Sequence, residues 1–271
     1  MDFVLGGDRR VRRLGFGAMR IALGGSVRDP DAAVTVLRRA VELGVNHIDT
    51  AGTYGAGDLH AHELIRKALS PYPDDLVIAS KVSVPGEAAA GQLRGLVEQD
   101  LRRLGLDHLD LLYLRVGGMG PAGGEPLSER FGALADLRRE GLVRHLGVSH
   151  VDAGQLAEAQ AVAPVAAVQN HFHVRHRADA DVLTRCEQDG IAYVPYFPLG
   201  GGPGRIDPGR LASVAARHRA TSAQVALAWL LATSPVTLAI PGTSSLDHLT
   251  ENLAAADLDL TDDDLAELAH S

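Results

Sequence analysis

Asp49, Tyr54 and Lys81 supply a carboxylate, a phenol and an ammonium, and each falls at or just past the end of a run that reads as a buried strand. A free phenol keeps its proton up to a pH of about 10. An ammonium beside it stabilises the phenolate and eases release of the proton, and a carboxylate can hold that ammonium through an ion pair. The expected chemistry is proton donation to a substrate oxygen near neutral pH. Taken singly, each residue has an ordinary reading: Asp49 capping a turn, Tyr54 covering apolar surface, Lys81 ending a strand in solvent. All three converging on one rim favour the chemical reading. Arg115 ends a further apolar run and is permanently charged, so it donates hydrogen bonds and never accepts them. It suits an orienting donor for a substrate oxygen or phosphate, or for developing oxyanion charge; a structural ion pair with Asp49 or another rim carboxylate is the alternative.

Positioning these groups falls to an alternation of strand and helix signals. An opening hairpin is expected over 3–5 and 10–12 around Gly6-Gly7-Asp8. Strands follow over 14–19, 45–49, 76–81, 109–115, 143–148, 166–170, 191–197 and 236–240. Helices are expected over 30–43, 60–69, 88–104, 127–140, 152–160, 179–189, 209–216, 222–232, 246–255 and 262–270, the first capped by Asp29 with Pro30 at its first position. The strands are short and almost continuously apolar, as when both faces are buried. A series of βα units of this kind closes into a barrel more readily than it lies in an open sheet. The expected fold is α/β, a single (β/α)8 TIM barrel domain over 1–271 with an N-terminal β-hairpin and extra C-terminal helices. In it the ends of the second, third and fourth strands are neighbours on the carboxyl rim, where barrel chemistry collects. A Rossmann domain is the alternative, but Gly15-Phe16-Gly17-Ala18-Met19-Arg20 has the first two glycines of the dinucleotide fingerprint and Arg20 where the third belongs.

A hydrophobic content of 46% supports a full core, and a net charge of −8 argues against nucleic acid as a partner. Arg9, Arg10, Arg12 and Arg13 are expected on a solvated turn. Cys186 is the only cysteine, so no intramolecular disulfide can form; it reads as a packing residue in a reducing compartment. The first residues lack a signal peptide's basic and apolar regions, and no stretch reaches the roughly 18 apolar residues of a membrane helix. The expectation is a cytoplasmic protein, a monomer or weak homo-oligomer, with no membrane partner. His171, His173 and His176 miss the zinc-helix spacing and follow a strand, so no metal is expected.

At this point the chain resembles the aldo-keto reductase superfamily over nearly its full length. The family's Asp-x4-Tyr pattern is matched by Asp49-Thr50-Ala51-Gly52-Thr53-Tyr54, and its strand-three lysine by Lys81. Further matches are Gly147-Val148-Ser149-His150, Gln169-Asn170, Tyr196-Phe197-Pro198-Leu199-Gly200 and Ile240-Pro241-Gly242-Thr243-Ser244, in the right order at the right strand ends. The resemblance implies NADPH bound in extended form across the carboxyl rim, with NADH as the alternative, and a small-molecule carbonyl substrate. Hydride would pass to the carbonyl carbon while Tyr54 protonates the oxygen. Gly17, Ala18, Met19 and Asp49 would lie against the cofactor. Tyr196 would stack on the nicotinamide, and Ser149, His150 and Gln169 would meet its carboxamide. Phe197, Pro198 and Leu199 would lead to Gly200, Gly201 and Gly202, where bare backbone approaches the pyrophosphate. Pro241, Gly242, Thr243, Ser244 and His248 would surround the 2′-phosphate, and Glu251 and Asn252 the adenine.

Two departures stand out. Arg115 occupies the place of the family's usual strand-four histidine and cannot relay a proton as imidazole can. Gly242 and His248 stand where many members carry lysine and arginine for the 2′-phosphate. With Asn46-His47-Ile48-Asp49-Thr50, Leu114-Arg115-Val116 and the run 191–201, the chain looks most like a bacterial branch that includes pyridoxal reductases, which makes pyridoxal the first substrate to try. The competing readings are a Schiff-base barrel with Lys81 as nucleophile, and a cofactor-binding sensor or regulatory subunit with little turnover.

Overall fold

Gly6 and Gly7 take positive φ angles of 59 and 87°, the turn that brings β1 (Asp2–Leu5) back antiparallel on β2 (Arg9–Arg12). Leu5 and Val11 from this hairpin pack with Val77, Ala79, Leu111 and Tyr113 and so plug the inside of a ring of strands. The plug sits at the amino ends of those strands, since Arg9 donates to Leu76 O at 3.2 Å.

The computed structural model describes residues 2–23, 29–57, 59–82, 88–116, 118, 120, 122–200 and 209–269. After the hairpin come β3 (Phe16–Gly17), α1 (Met19–Ala22), α2 (Pro30–Glu42), β4 (His47–Asp49), a small hairpin of β5 (Gly55–Ala56) and β6 (Leu59–His60), and α3 (Ala61–Leu69). Then follow β7 (Val77–Val82), α4 (Ala90–Leu104), β8 (Leu109–Arg115), α5 (Ser128–Arg139), β9 (Val143–Ser149), α6 (Ala153–Val162), β10 (Val165–Gln169), α7 (Ala180–Asp189) and β11 (Ala192–Tyr193). The last elements are α8 (Gly209–His218), α9 (Ser222–Thr233), α10 (Leu246–Leu253) with a 3-10 turn, and α11 (Asp262–Ala269). The Asp29 side chain caps α2 by accepting from the Asp31 N–H at 2.9 Å, with Pro30 at the first helical position.

Seven parallel strands lie in the order β11-β10-β9-β8-β7-β4-β3. Residues 236–240 close the gap. On one side Tyr193 N–H donates to Val236 O at 2.9 Å and Leu238 N–H to Tyr193 O at 2.8 Å; on the other, Gly15 N–H donates to Ala239 O at 2.9 Å and Ala239 N–H to Arg13 O at 2.8 Å. The fold is the (β/α)8 barrel. The seam differs from expectation: the first and seventh strands shrink to two residues each, and the eighth forms only single bridges. Pro195 lies in the seventh segment and Pro241 directly follows the eighth, and neither has an N–H to give a ladder.

A side chain reinforces the seam. Arg13, expected on a solvated turn, is buried and donates to Thr237 O at 3.0 Å, Leu231 O at 2.6 Å and Ser234 O at 2.5 Å. It replaces ladder bonds that the short strands do not make. Cys186 is buried in α7, where burial first and Asp189 second push its thiol up to about 12, the behaviour of a packing residue. No helix among the described residues is long and apolar enough to cross a membrane.

Candidate active site

β4 and β7 are adjacent in the sheet, so Asp49 and Lys81 meet at its carboxyl end. Val77 and Ala79 lie in the inner cluster, and side chains alternate along a strand, so Lys81 points into the barrel as well. Its Nζ donates to Asp49 Oδ1 at 2.5 Å and to Thr50 O at 2.7 Å, with both side chains closed to solvent. Burial opposes the ammonium, but Asp49 and then Tyr54 outweigh it, so the lysine stands above its ordinary value. Gln169, from β10 across the ring, donates Nε2 to the second carboxylate oxygen of Asp49 at 2.7 Å.

Tyr54 is half-buried, with Lys81 Nζ 5.1 Å from its ring centre. Its loop is fixed at both ends of the residue: Tyr54 N–H donates to Ala51 O at 3.0 Å, and Tyr54 O accepts from Ala61 N–H at 2.9 Å. The predicted trio is therefore assembled.

Asp49 and Tyr54 open onto a cleft of about 490 Å³. Gly17, Met19 and Arg20 form one edge, and Tyr196 to Gly200 the opposite one. Pro241, Gly242, Thr243 and Ser244 extend it outward to His248, Glu251 and Asn252 of α10. Gly201 and Gly202 lie outside the described residues. Gly17 and Gly242 leave no room for side chains: a Cβ on Gly17 would sit 2.6 Å from Ile240 O, and one on Gly242 would strike Gly17 O.

Ala18, Arg115, Ser149, His150 and Gln169 are not among the residues that line this cleft. Ala18 turns its methyl into the core and serves through its backbone, its N–H donating to Asp49 O at 2.8 Å. Gln169 spends its amide on Asp49. Arg115 pairs in register with Ser149, and its charge acts on Tyr196. His150 has φ of 62° and is 5% exposed; its Nδ1 lies 3.0 Å from Tyr196 Oη while its Nε2 finds no partner among the described residues. Burial first, against Arg115, sets the Tyr196 phenol at about 12. His171 and His176 form a column with Tyr196: His176 stacks on His171 at 4.0 Å and His171 on Tyr196 at 5.2 Å, nearly parallel. No group of three His, Cys, Asp or Glu side chains among the described residues is arranged to hold a metal ion.

Arg20 was not singled out in the sequence as a site residue. It is exposed on α1 at the cleft edge. The signal was present, since the cation that breaks the dinucleotide fingerprint ends the first strand run beside Gly17.

The Aldo/keto reductase family profile matches residues 13–271. The chain is 46% identical to pyridoxine 4-dehydrogenase of Escherichia coli K12, over 97% of this chain and 95% of that one. Among solved structures it resembles a thermostable aldo-keto reductase bound to the inhibitor epalrestat, with a TM-score of 0.87, 32% identity and coverage of 100% and 99% of the two chains. It also resembles an aldo/keto reductase of Klebsiella pneumoniae in complex with NADP and acetate, with a TM-score of 0.86, 29% identity and coverage of 99% and 94%. The chain belongs to the aldo/keto reductase family. It is an NAD(P)H-dependent oxidoreductase of that family.

Proposed function

We propose that this chain, acting as one barrel domain, reduces a small aldehyde to an alcohol with NADPH, with Tyr54 as the proton donor and pyridoxal as the substrate to try first. The observation that carries the reading is the contact between Lys81, held charged by Asp49, and the face of Tyr54 at the edge of the cleft. Pyridoxal is favoured by the likeness to pyridoxine 4-dehydrogenase.

The residues present fit a dinucleotide. Gly17 and Gly242 let their two segments close against each other in the cleft wall, Arg20 offers a cation for phosphate, and the buried Nε2 of His150 beside Tyr196, without a partner among the described residues, suits an amide. Met19 and Tyr196 would flank the nicotinamide with Ser149 and His150 near its amide. Residues 197–200, with Gly201 and Gly202, would follow the pyrophosphate. Pro241, Gly242, Thr243, Ser244 and His248 would hold the 2′-phosphate, and Glu251 and Asn252 the adenine. When bound, the reduced nicotinamide supplies the hydride. Tyr54 then gives its hydroxyl proton to the carbonyl oxygen, and Lys81 steadies the phenolate left behind. Arg115, close enough for its charge to act on Tyr196, orients the substrate.

The aldolase reading is weakened by the same geometry, because a Schiff-base nucleophile must be a neutral amine and Asp49 keeps Lys81 charged. Following NADPH and NADH absorbance with a panel of aldehydes that includes pyridoxal tests the proposal. Oxidation of NADPH by pyridoxal supports it; cofactor binding with no oxidation by any aldehyde overturns it in favour of a sensor.

A further inference from the structure

Beneath the loop that carries Tyr54, a set of buried polar side chains lies outside the cleft. Asp100 of α4 is 2% exposed, and Ser80 Oγ of β7 donates to its Oδ2 at 2.7 Å. His62 of α3 is fully buried, with Nε2 3.4 Å from Ser80 Oγ and Nδ1 3.4 Å from Asp100 Oδ1. The three side chains form a triangle between α3, α4 and the outer face of β7.

Two short routes lead from this triangle to the active site. Ser80 precedes Lys81 on β7, so fixing Ser80 outward fixes Lys81 inward. Gly52 lies two residues before Tyr54 and rests on Asp100, where an added Cβ would sit 2.7 Å from Oδ1. His60 clamps the same loop from the side. Its Nδ1 accepts from the His62 N–H at 3.2 Å, and its Nε2 lies 3.0 Å from Gly52 O and 2.8 Å from Arg103 Nη1. The Tyr54 loop is thus seated on Asp100 and tied to the start of α3.

We propose that Asp100 is a positioning residue for the Tyr54–Lys81 pair, holding the lysine's strand through Ser80 and setting the seat of the tyrosine's loop through Gly52. The proposal rests on the reading of Tyr54 as proton donor. Its reach is geometric: a displacement of about 1 Å at a donor costs a rate far more than it costs binding.

The titratable and charged groups that face the triangle are Glu63 from α3, His60 from β6, Arg103 from α4, and Lys81 from the far side of β7. Burial first, opposed by Ser80 and Arg103, places the Asp100 carboxyl at about 7. Burial, with His60, Arg103 and Lys81, keeps His62 near 3 and therefore neutral. The charge of the triangle itself changes at Asp100, so the seat of the loop also responds to pH near neutrality.

The test uses the full-length protein labelled with [13Cζ]tyrosine; it has five tyrosines, and the Tyr54 signal is assigned by its loss in Tyr54→Phe. In Asp100→Ala and Ser80→Ala, kcat for an aldehyde falls about tenfold while NADPH affinity, read by protein fluorescence, stays within about twofold. The Tyr54 signal shifts in both. Asp100→Asn keeps an acceptor for Ser80 in the same shape, restores kcat and signal together, and removes any movement of that signal near neutral pH. Should Asp100→Ala fail to fold, Ser80→Ala and Gly52→Ala carry the same comparison. An unmoved Tyr54 signal with unchanged kcat overturns the proposal, as does equal loss of kcat and NADPH affinity. A signal that moves as expected in a protein that reduces no carbonyl sinks the reductase reading and leaves the positioning role standing.

Discussion

Lys81 Nζ sits 2.5 Å from Asp49 Oδ1 with both groups out of water, while Gln169 holds the other carboxylate oxygen at 2.7 Å. Desolvating two charges costs about as much as their attraction returns, so the pair itself adds little net stability. Removing one partner is different, because it strands the other charge. Asp49→Asn is expected to lower unfolding stability by about 3–5 kcal/mol in urea denaturation. The pH dependence follows from the sign of the lysine's shift. A folded value above the unfolded one makes the pair's contribution complete below the ordinary lysine range and lost only as pH climbs beyond it. The gap between wild type and variant should therefore be flat from about pH 6 to about pH 9; a gap that closes inside that window contradicts the assignment.

Tyr54→Phe keeps the ring under Lys81 and deletes only the hydroxyl. Loss of a positioned proton donor costs about 10²–10⁴-fold. The expected outcome is a fall of that size in kcat with NADPH affinity within about twofold of wild type. Unchanged turnover refutes Tyr54 as the donor.

Arg13 donates to three main-chain carbonyls at the seam; if the guanidinium goes, Ser234 O keeps the Thr237 N–H at 3.2 Å, while Leu231 O and Thr237 O lose this donor. Each buried carbonyl left unpaired costs about 1–3 kcal/mol. Arg13→Met, which keeps the aliphatic stem, is expected to destabilise the fold by at least about 2 kcal/mol. It should also speed hydrogen exchange at the Ala239 amide, which bonds to Arg13 O. Equal exchange in the two proteins argues that the seam holds without it.

The places where sequence reading succeeded and failed have physical causes. β8 falls on the expected residues, and β7, β9 and β10 within one residue, because each is a buried apolar run with partners on both sides. Asp49, Lys81 and Tyr54 were legible because strand ends define a rim before any contact is known. The seam was not, since its strands hold by single bridges and by Arg13, and a cation in a basic run carries no local mark of burial. The β5/β6 hairpin was missed for a similar reason, being only four paired residues. The Asp100 triangle was invisible because its members come from three elements and only packing brings them together. His171 and Tyr196 share that origin, as neighbours across adjacent strand ends.

Two opposing shifts make Asp100 measurable in the fold itself. His47 and His62 are buried and neutral, at about 4 and about 3, mainly through burial, so the unfolded chain binds more protons than the folded one between those values and about 6.5. Their contribution makes stability rise with pH in that window. Asp100 works the other way. With its folded value at about 7 against 3.8, it favours the fold at low pH, and that advantage drains away as pH rises through its folded value. Wild type should therefore show a blunted acid slope. Asp100→Asn removes the carboxyl and leaves the histidines, so its stability should climb more steeply between about pH 4 and about pH 7 and run parallel to wild type above that. Denaturation midpoints at a series of pH values read the difference directly, and parallel curves across the whole range would place the Asp100 carboxyl back in the ordinary carboxylate range.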